Sequence, residues 1–170
     1  MAVMTLKGHV SRAKDFYDKT SVYFCLGRTT PWPNEARPPV PLNTDDMDEP
    51  AGYKLVDSKF LVVPLEEGVG QISYRGTQWK IVPYDQAVEQ GARWVYIAAD
   101  ISYNDFPVDL IYRQIGIYTG LEKAEGVGAG KGNLLPDEVA DPGVLEVLDN
   151  RTPIYRDLDQ REVLSTIIEF

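Results

Sequence analysis

The order of apolar and polar residues along the chain predicts mainly β structure. Apolar and aromatic runs of strand length recur from residue 21 to the end of the chain. They cover residues 21–27, 59–63, 70–74, 77–82, 93–101, 110–119, 144–148 and 161–170. Gly76 separates two of these runs by a tight turn, which predicts a hairpin over residues 70–82. Both alternating sets of side chains in residues 93–101 are apolar or aromatic, which indicates a strand covered on both faces.

Two short stretches have a helical pattern instead. Residues 10–19 place their apolar side chains on one stripe, and Ser11 or residues 8–9 could open this helix. The stripe consists of Val10, Ala13, Phe16 and Tyr17. Residues 83–91 predict a second short helix, because Pro83 suits a first helical turn and Gly91 suits the position after the last.

Two long segments interrupt the strand pattern. Residues 31–50, the proline loop, contain six prolines, and proline has a fixed φ and no N–H to donate to a sheet. Residues 120–143, the glycine loop, contain six glycines and little periodicity, which predicts a flexible loop that is functional or ordered by a partner. The pattern therefore predicts one mainly β, β-sandwich-like domain over residues 1–170, with two short helices and these two loops.

Composition and charge then remove several classes of function. A net charge of −9 argues against nucleic-acid binding and against docking on anionic membranes, because both need clustered Lys and Arg. One cysteine (Cys25) and one histidine (His9) exclude a disulfide scaffold and a zinc finger, so we expect no metal and no cofactor. No apolar run has the length of a signal peptide or a membrane span, so we expect a chain that is used without export.

Candidate catalytic motifs are weak. The glycine-rich stretch at 126–133 is not a nucleotide-binding loop, because Glu125 stands where the motif needs glycine and Gly132 stands where it needs Ser or Thr. The acidic residues at 45–49 lack the spacing of a calcium loop and are interpreted as a solvated turn. An acid/base hydrolase stays open on carboxylate number alone. Its candidates are Glu66, Glu67, Asp100 and Asp105.

The tryptophans leave two interpretations open. Trp79 and Trp94 lie inside strand patterns and are expected in the core. Trp32, between Pro31 and Pro33, either covers one end of the sandwich or inserts into a groove of a partner. Aromatic rings displayed on a sheet face would suit a carbohydrate-binding β-sandwich module, which is the alternative function.

Several segments together resemble a known family. Residues 24–32 (FCLGRTTPW) resemble the F-x-x-G-R-x-x-P-W segment of the baseplate wedge protein of T-even-like contractile-tail phages, the gene product eight family. Phe106-Pro107 and residues 113–117 (RQIGI) resemble its F-P and R-Q-I-S-I segments. Residues 150–154 (NRTPI), 159–162 (DQRE) and Phe170 resemble its C-terminus. Compared with that family, this chain lacks a large central insertion between the proline loop and Trp94.

This resemblance implies a structural virion protein and no enzyme. It implies a peripheral wedge subunit of the tail baseplate, assembled in the host cytoplasm, which forms homodimers and binds other wedge proteins. Arg28 and Arg151 are expected to hold the loops through their planar guanidinium groups, and Pro31, Trp32 and Pro33 to form a fixed knob for a partner. The interaction residues that we predict are Arg28, Pro31, Trp32, Pro33, Arg113, Arg151 and Pro153.

Overall fold

A computed structural model describes residues 1–42, 44–106 and 109–170, so Pro107 of the Phe106-Pro107 pair lies outside the described residues. These residues contain one α-helix, α1 (Leu6–Asp18), and 3-10 turns at Tyr84–Gln86 and Pro136–Glu138. The strands of the described residues are β1 (Val22–Gly27), β2 (Pro50–Leu55), β3 (Ser58–Leu65), β4 (Ile72–Tyr74), β5 (Thr77–Ile81), β6 (Trp94–Ile101), β7 (Leu110–Thr119), β8 (Glu122–Lys123), β9 (Asn133–Leu134), β10 (Val139–Asp141), β11 (Val144–Arg156) and β12 (Glu162–Glu169). The mainly β class is confirmed. None of the described helices is long and apolar enough to cross a membrane.

The chain divides into two compact units. The first consists of Met1–Lys19, Asp57–Ala98 and Ser165–Phe170, and the second of Thr20–Val56 and Ala99–Leu164. Strands β6 and β12 contribute residues to both units. The expectation of a single domain over residues 1–170 stays a prediction.

Helix α1 belongs to the first unit and begins earlier than predicted. Thr5 caps it, since its hydroxyl accepts the N–H of Gly8 at 3.2 Å, and neither Ser11 nor residues 8–9 open it. Val10, Ala13 and Phe16 are buried, which confirms the apolar stripe. At the other end, the Nζ of Lys59 donates to the carbonyls of Tyr17 and Lys19 and satisfies groups that the last turn leaves unpaired.

The sheet of the first unit has the order β12-β6-β3-β5-β4. Strands β4 and β5 form the predicted hairpin, and Arg75 and Gly76 both have positive φ, as a tight two-residue turn requires. In β6 one set of alternate side chains is buried and the other is half-buried, so only one face is fully covered. The second predicted helix is shorter than expected and is a 3-10 turn (Tyr84–Gln86) that begins after Pro83, because a stretch this short gains too little to form an α-helix.

The second unit contains a five-stranded sheet with the order β11-β7-β1-β2-β9. Strand β1 pairs with β2 on one side and β7 on the other, and all six of its residues are buried. Cys25 is buried in this strand, where desolvation raises the pKa of its thiol, so it packs as a small apolar side chain. The core cluster on this face consists of Tyr23, Cys25, Met47, Tyr53, Tyr118, Leu121 and Leu134.

Two parts of this unit differ from the predicted pattern. Strand β11 does not end at residue 148 but continues to Arg156, and its register shifts between Asn150 and Ile154. Pro153 lies at this bulge, where a residue without an N–H is tolerated in a strand. The glycine loop is also more ordered than predicted, because it contains β8, β9 and β10, which are too short to give an apolar period.

Candidate interaction site around the proline loop

Arg28 joins the two ends of the proline loop. It follows β1 with a positive φ, and its backbone N–H donates to the carbonyl of Asp48 at 2.8 Å. Its Nη1 donates to the Asp48 carboxylate at 2.6 Å. Its guanidinium also lies over the Trp32 ring, 3.8 Å from the centroid, where a cation is attracted to the aromatic face. These contacts connect the two ends of the loop through Arg28.

Trp32 packs on its own chain. Its side chain is only 7% exposed, and its Nε1 donates to the carbonyl of Arg151 at 2.9 Å. This carbonyl belongs to the bulge of β11, so the indole covers irregular backbone at the edge of the sheet. Of the two roles left open for Trp32, this geometry supports the cover. Pro31 and Pro33 on either side of the ring are exposed.

Arg113 provides a second anchor, from the buried strand β7. Its Nε donates to the two carboxylate oxygens of Glu35 at 2.9 and 3.0 Å, and its Nη2 donates to Oε1 at 2.7 Å. Its Nη1 donates to the carbonyl of Thr29. The hydrogen bond from Arg113 holds the pKa of Glu35 below its usual range, and the N–H of Trp32 adds to this effect. The first turn of the loop is thus fixed by a paired guanidinium.

The C-terminal end of the proline loop, residues 46–48, is anchored as well. Met47 is buried in the core cluster, and the hydroxyl of Tyr118 donates to the carboxylate of Asp46 at 2.5 Å. Burial raises the pKa of Tyr118, and the bond to Asp46 raises it further, so the hydroxyl stays protonated and can donate. The backbone N–H of Asp48 donates to Oε1 of Gln114 at 2.9 Å. Residues 46–48 are therefore held on the sheet.

The middle of the loop has one anchor and an exposed apolar tip. Nδ2 of Asn150 donates to the carbonyl of Pro39 at 2.8 Å. Val40 and Leu42 follow, and their exposed fractions are 76% and 75%. The loop is thus fixed at both ends while two large apolar side chains point into solvent.

Comparison with known proteins agrees with the phage origin that the resemblance implied. A family model described as "Baseplate wedge 3 tail fiber network component" matches residues 1–170. The chain belongs to this family. Among curated proteins it is similar to Virion protein 3 of Enterococcus phage phiEF24C, with 32% identity over an alignment of 174 positions, which covers 94% of this chain and 90% of the relative. A phage baseplate-associated family is therefore shown, and the finer assignment to the gene product eight proteins stays a prediction.

In this member of the baseplate wedge family, four of the predicted interaction residues are connected by hydrogen bonds and a cation–π contact. Arg28, Trp32 and Arg113 meet at the start of the proline loop, and the carbonyl of Arg151 accepts from Trp32. The side chain of Arg151 turns away and its Nε donates to Asp149 at 2.8 Å. What these residues contribute to association with a partner stays a prediction.

Sequence reasoning missed several hydrogen-bonding partners in this network. Glu35, Gln114 and Asn150 were not singled out as its members, although a glutamine inside an otherwise apolar strand is a signal of a buried hydrogen bond. The acidic residues at 45–49 were interpreted as a solvated turn. They are exposed, but the carboxylates of Asp46 and Asp48 hold Tyr118 and Arg28.

Two of the four carboxylates proposed for acid/base chemistry, Asp100 and Asp105, are engaged in other contacts. Nε of Arg161 donates to Asp100 at 2.8 Å and lowers the pKa of its carboxyl, which keeps it ionised. Asp105 forms an ion pair with Lys54 at 2.7 Å. Glu66 and Glu67 belong to the first unit, whereas Asp100 and Asp105 belong to the second. Nowhere in the described part of the chain do three potential metal-ligating side chains converge.

The pH dependence of stability follows from the anchors of the loop. The pKa values of Glu35 and Glu49 are lowered in the folded state, through Arg113 and through hydrogen bonds from Thr30. Their stabilisation is therefore present above the ordinary glutamate pKa of 4.5 and is lost as the pH falls through the lowered values. We expect the free energy of unfolding, measured with guanidinium chloride, to fall below about pH 4.5.

The matched variant carries Glu35→Gln and Glu49→Gln. It should be less stable than the wild type at pH 7, and its free energy of unfolding should change less between pH 5 and about pH 3. Equal pH dependence in the two proteins would show that these carboxylates do not stabilise the fold through ionisation.

Proposed function

We propose that this chain is a peripheral wedge subunit of a contractile-tail baseplate, of the gene product eight type, that acts as a homodimer through protein–protein association. Its place is the virion, after assembly in the host cytoplasm, and its partners are other baseplate wedge proteins. The family that matches residues 1–170 supports this proposal, and so does the phage virion relative. The ordered series of matching segments from residue 24 to Phe170 supports the finer assignment.

The observation that carries the proposal is the fixed proline loop with its exposed apolar tip. Arg28 and Arg113 hold the start of the loop, and Met47 is buried at its end. Val40 and Leu42 nevertheless remain about three-quarters exposed. A loop that is already ordered loses little conformational entropy when it docks, so such a tip is suited to binding another protein.

The tryptophans do not support the alternative function, a carbohydrate-binding module of a tail appendage. A sugar platform needs flat aromatic rings presented to solvent. All three tryptophans lie in the described residues, and Trp32 is buried while Trp79 and Trp94 are half-buried. The ring of Trp94 also packs edge-on against Trp79, with 5.9 Å between centroids.

Co-expression tests the proposal. The tagged chain is produced together with the other baseplate proteins of the same phage and purified through its tag. The molar mass of the purified complex is then measured by light scattering. We expect at least one wedge protein to co-purify in a fixed ratio. Because a charge on the loop tip would be buried on association, Val40→Asp should weaken this complex about tenfold or more.

The control for this experiment is Val69→Asp, since Val69 is 94% exposed and lies outside the loop. It should leave the complex unchanged. A wild-type chain that purifies without any other baseplate protein would contradict the proposed wedge role.

A further inference from the structure

The tip of the proline loop, residues 40–42, presents apolar side chains to solvent. Val40 and Leu42 are 76% and 75% exposed, and Pro41 between them is half-buried. The prolines at positions 38, 39 and 41 have a fixed φ and no N–H, so the tip cannot pair with another chain through a regular ladder of backbone hydrogen bonds. A partner therefore has to recognise its side chains.

An apolar depression of about 210 Å³ lies beside the tip. It is lined by Pro41, Thr44, Leu145, Glu146, Val147 and Leu148. Both polar side chains of this lining are bonded within the chain, since Oγ1 of Thr44 donates to the carbonyl of Leu42 at 3.4 Å and Glu146 accepts from the hydroxyl of Thr119 at 2.7 Å. The depression is therefore suited to an apolar side chain. The tip and the depression both belong to the second unit.

A surface that carries a tip and a depression side by side fits a second copy of itself. A two-fold axis brings the tip of each copy to the depression of the other, so that both contacts form together. Residues 36–44 contain Arg37 and no acidic residue, in a chain whose net charge is −9. The tip itself therefore adds no negative charge to a contact between two copies.

The charges on the two sides of the tip are opposite in sign. Arg37 precedes Val40 by three positions, and Asp45 follows Leu42 by three. Both charged side chains are exposed, and neither has a hydrogen-bonding or ionic partner among the residues that the structure describes. If two tips meet antiparallel about Pro41, Arg37 of one copy lies opposite Asp45 of the other, and Val40 lies opposite Leu42.

We propose that the proline loop forms a two-fold contact with the proline loop of a second copy, in which each tip enters the depression of the other and Arg37 pairs with Asp45 across the axis. Exposed ion pairs are weak, so the apolar side chains supply most of the affinity and the charges fix the antiparallel direction. This inference rests on the homodimer in the proposed function and assigns its interface. The complex with other wedge proteins contains this dimer, so a substitution at the tip weakens both.

Reversal of the two charges tests the contact. In analytical ultracentrifugation of the full chain at low ionic strength, the wild type should sediment as a dimer. Arg37→Asp and Asp45→Arg should each raise the dimer dissociation constant about tenfold, because each places like charges opposite one another twice in a two-fold dimer. An equimolar mixture of the two variants should form a heterodimer with a constant near the wild-type value, since every pair across the axis again joins opposite charges. This recovery also shows that both variants are folded.

Arg12→Asp and Asp137→Arg are the matched controls. They make the same changes of charge at exposed positions outside the loop and should leave the dissociation constant unchanged. Leu42→Asp should raise it about tenfold or more, because it would bury an unpaired charge.

Two results would overturn the contact between the tips: a mixture of the charge variants that recovers no dimer, or an unchanged constant for Leu42→Asp. A monomeric wild type that still co-purifies with a wedge protein would also overturn it, while leaving the proposed wedge role intact.

Discussion

Replacement of Trp32 by alanine is expected to lower the free energy of unfolding by about 3–4 kcal/mol, within the range for large aromatic deletions from buried sites. The indole is buried, stacks under the Arg28 guanidinium, and donates to the carbonyl of Arg151. Its removal leaves a cavity beneath Arg28 and an unpaired carbonyl at the bulge of β11. Guanidinium chloride unfolding, followed by circular dichroism, measures the loss.

Trp32→Phe keeps part of the packing and removes the hydrogen bond. It leaves a smaller aromatic ring under Arg28 and removes the Nε1 donor, so we expect a loss of about 1–3 kcal/mol, smaller than the loss for Trp32→Ala. If Trp32→Ala were as stable as the wild type, the indole would not be an anchor of the loop.

Replacement of Gly52 by alanine should lower the free energy of unfolding by about 2–3 kcal/mol. A Cβ on Gly52 would meet three ring carbons of Phe106 within 2.9 Å. Phe106 is almost completely buried, so its ring cannot move aside without disturbing the surrounding core. The loss is measured by the same chemical unfolding.

Gly128→Ala is the matched control. No atom lies within 4 Å of the added Cβ, and Gly128 is not among the glycines with positive φ, so its stability should change by less than about 1 kcal/mol. The loss of free energy of unfolding caused by Gly52→Ala should be smaller in a Phe106→Leu background than in the wild type, because the Cβ on Gly52 would occupy the same space as the Phe106 ring. Equal losses in both backgrounds would contradict the overlap.

The strands could be predicted from the sequence where the local pattern agrees with the fold. The runs that became β1, β6 and β7 alternate or are fully apolar, and these strands lie in sheets that bury them. The strand predicted at residues 144–148 was shorter than β11, because Pro153 interrupts the apolar pattern. Only the pairing with β7 shows that β11 continues through a bulge. Short strands such as β9 carry no period at all and exist because a neighbour pairs with them.

The candidate site could be predicted in part, and for a different reason. Arg28 and Arg151 stood out through their resemblance to a family segment, and Trp32 stood out also because two prolines flank it. Their partners did not, because the contact between Arg113 and Glu35 spans 78 positions of sequence. Such acceptors come close to their donors only when the loop is folded, so the sequence carries no periodic signal for them.

A cryo-EM reconstruction of the virion tail tests the central claim most directly. The account predicts that the baseplate contains density for this chain at the periphery of each wedge, in two-fold pairs, with the tips of the proline loops in contact with protein. Density for the chain elsewhere in the virion, or wedges complete without it, would contradict the proposed function.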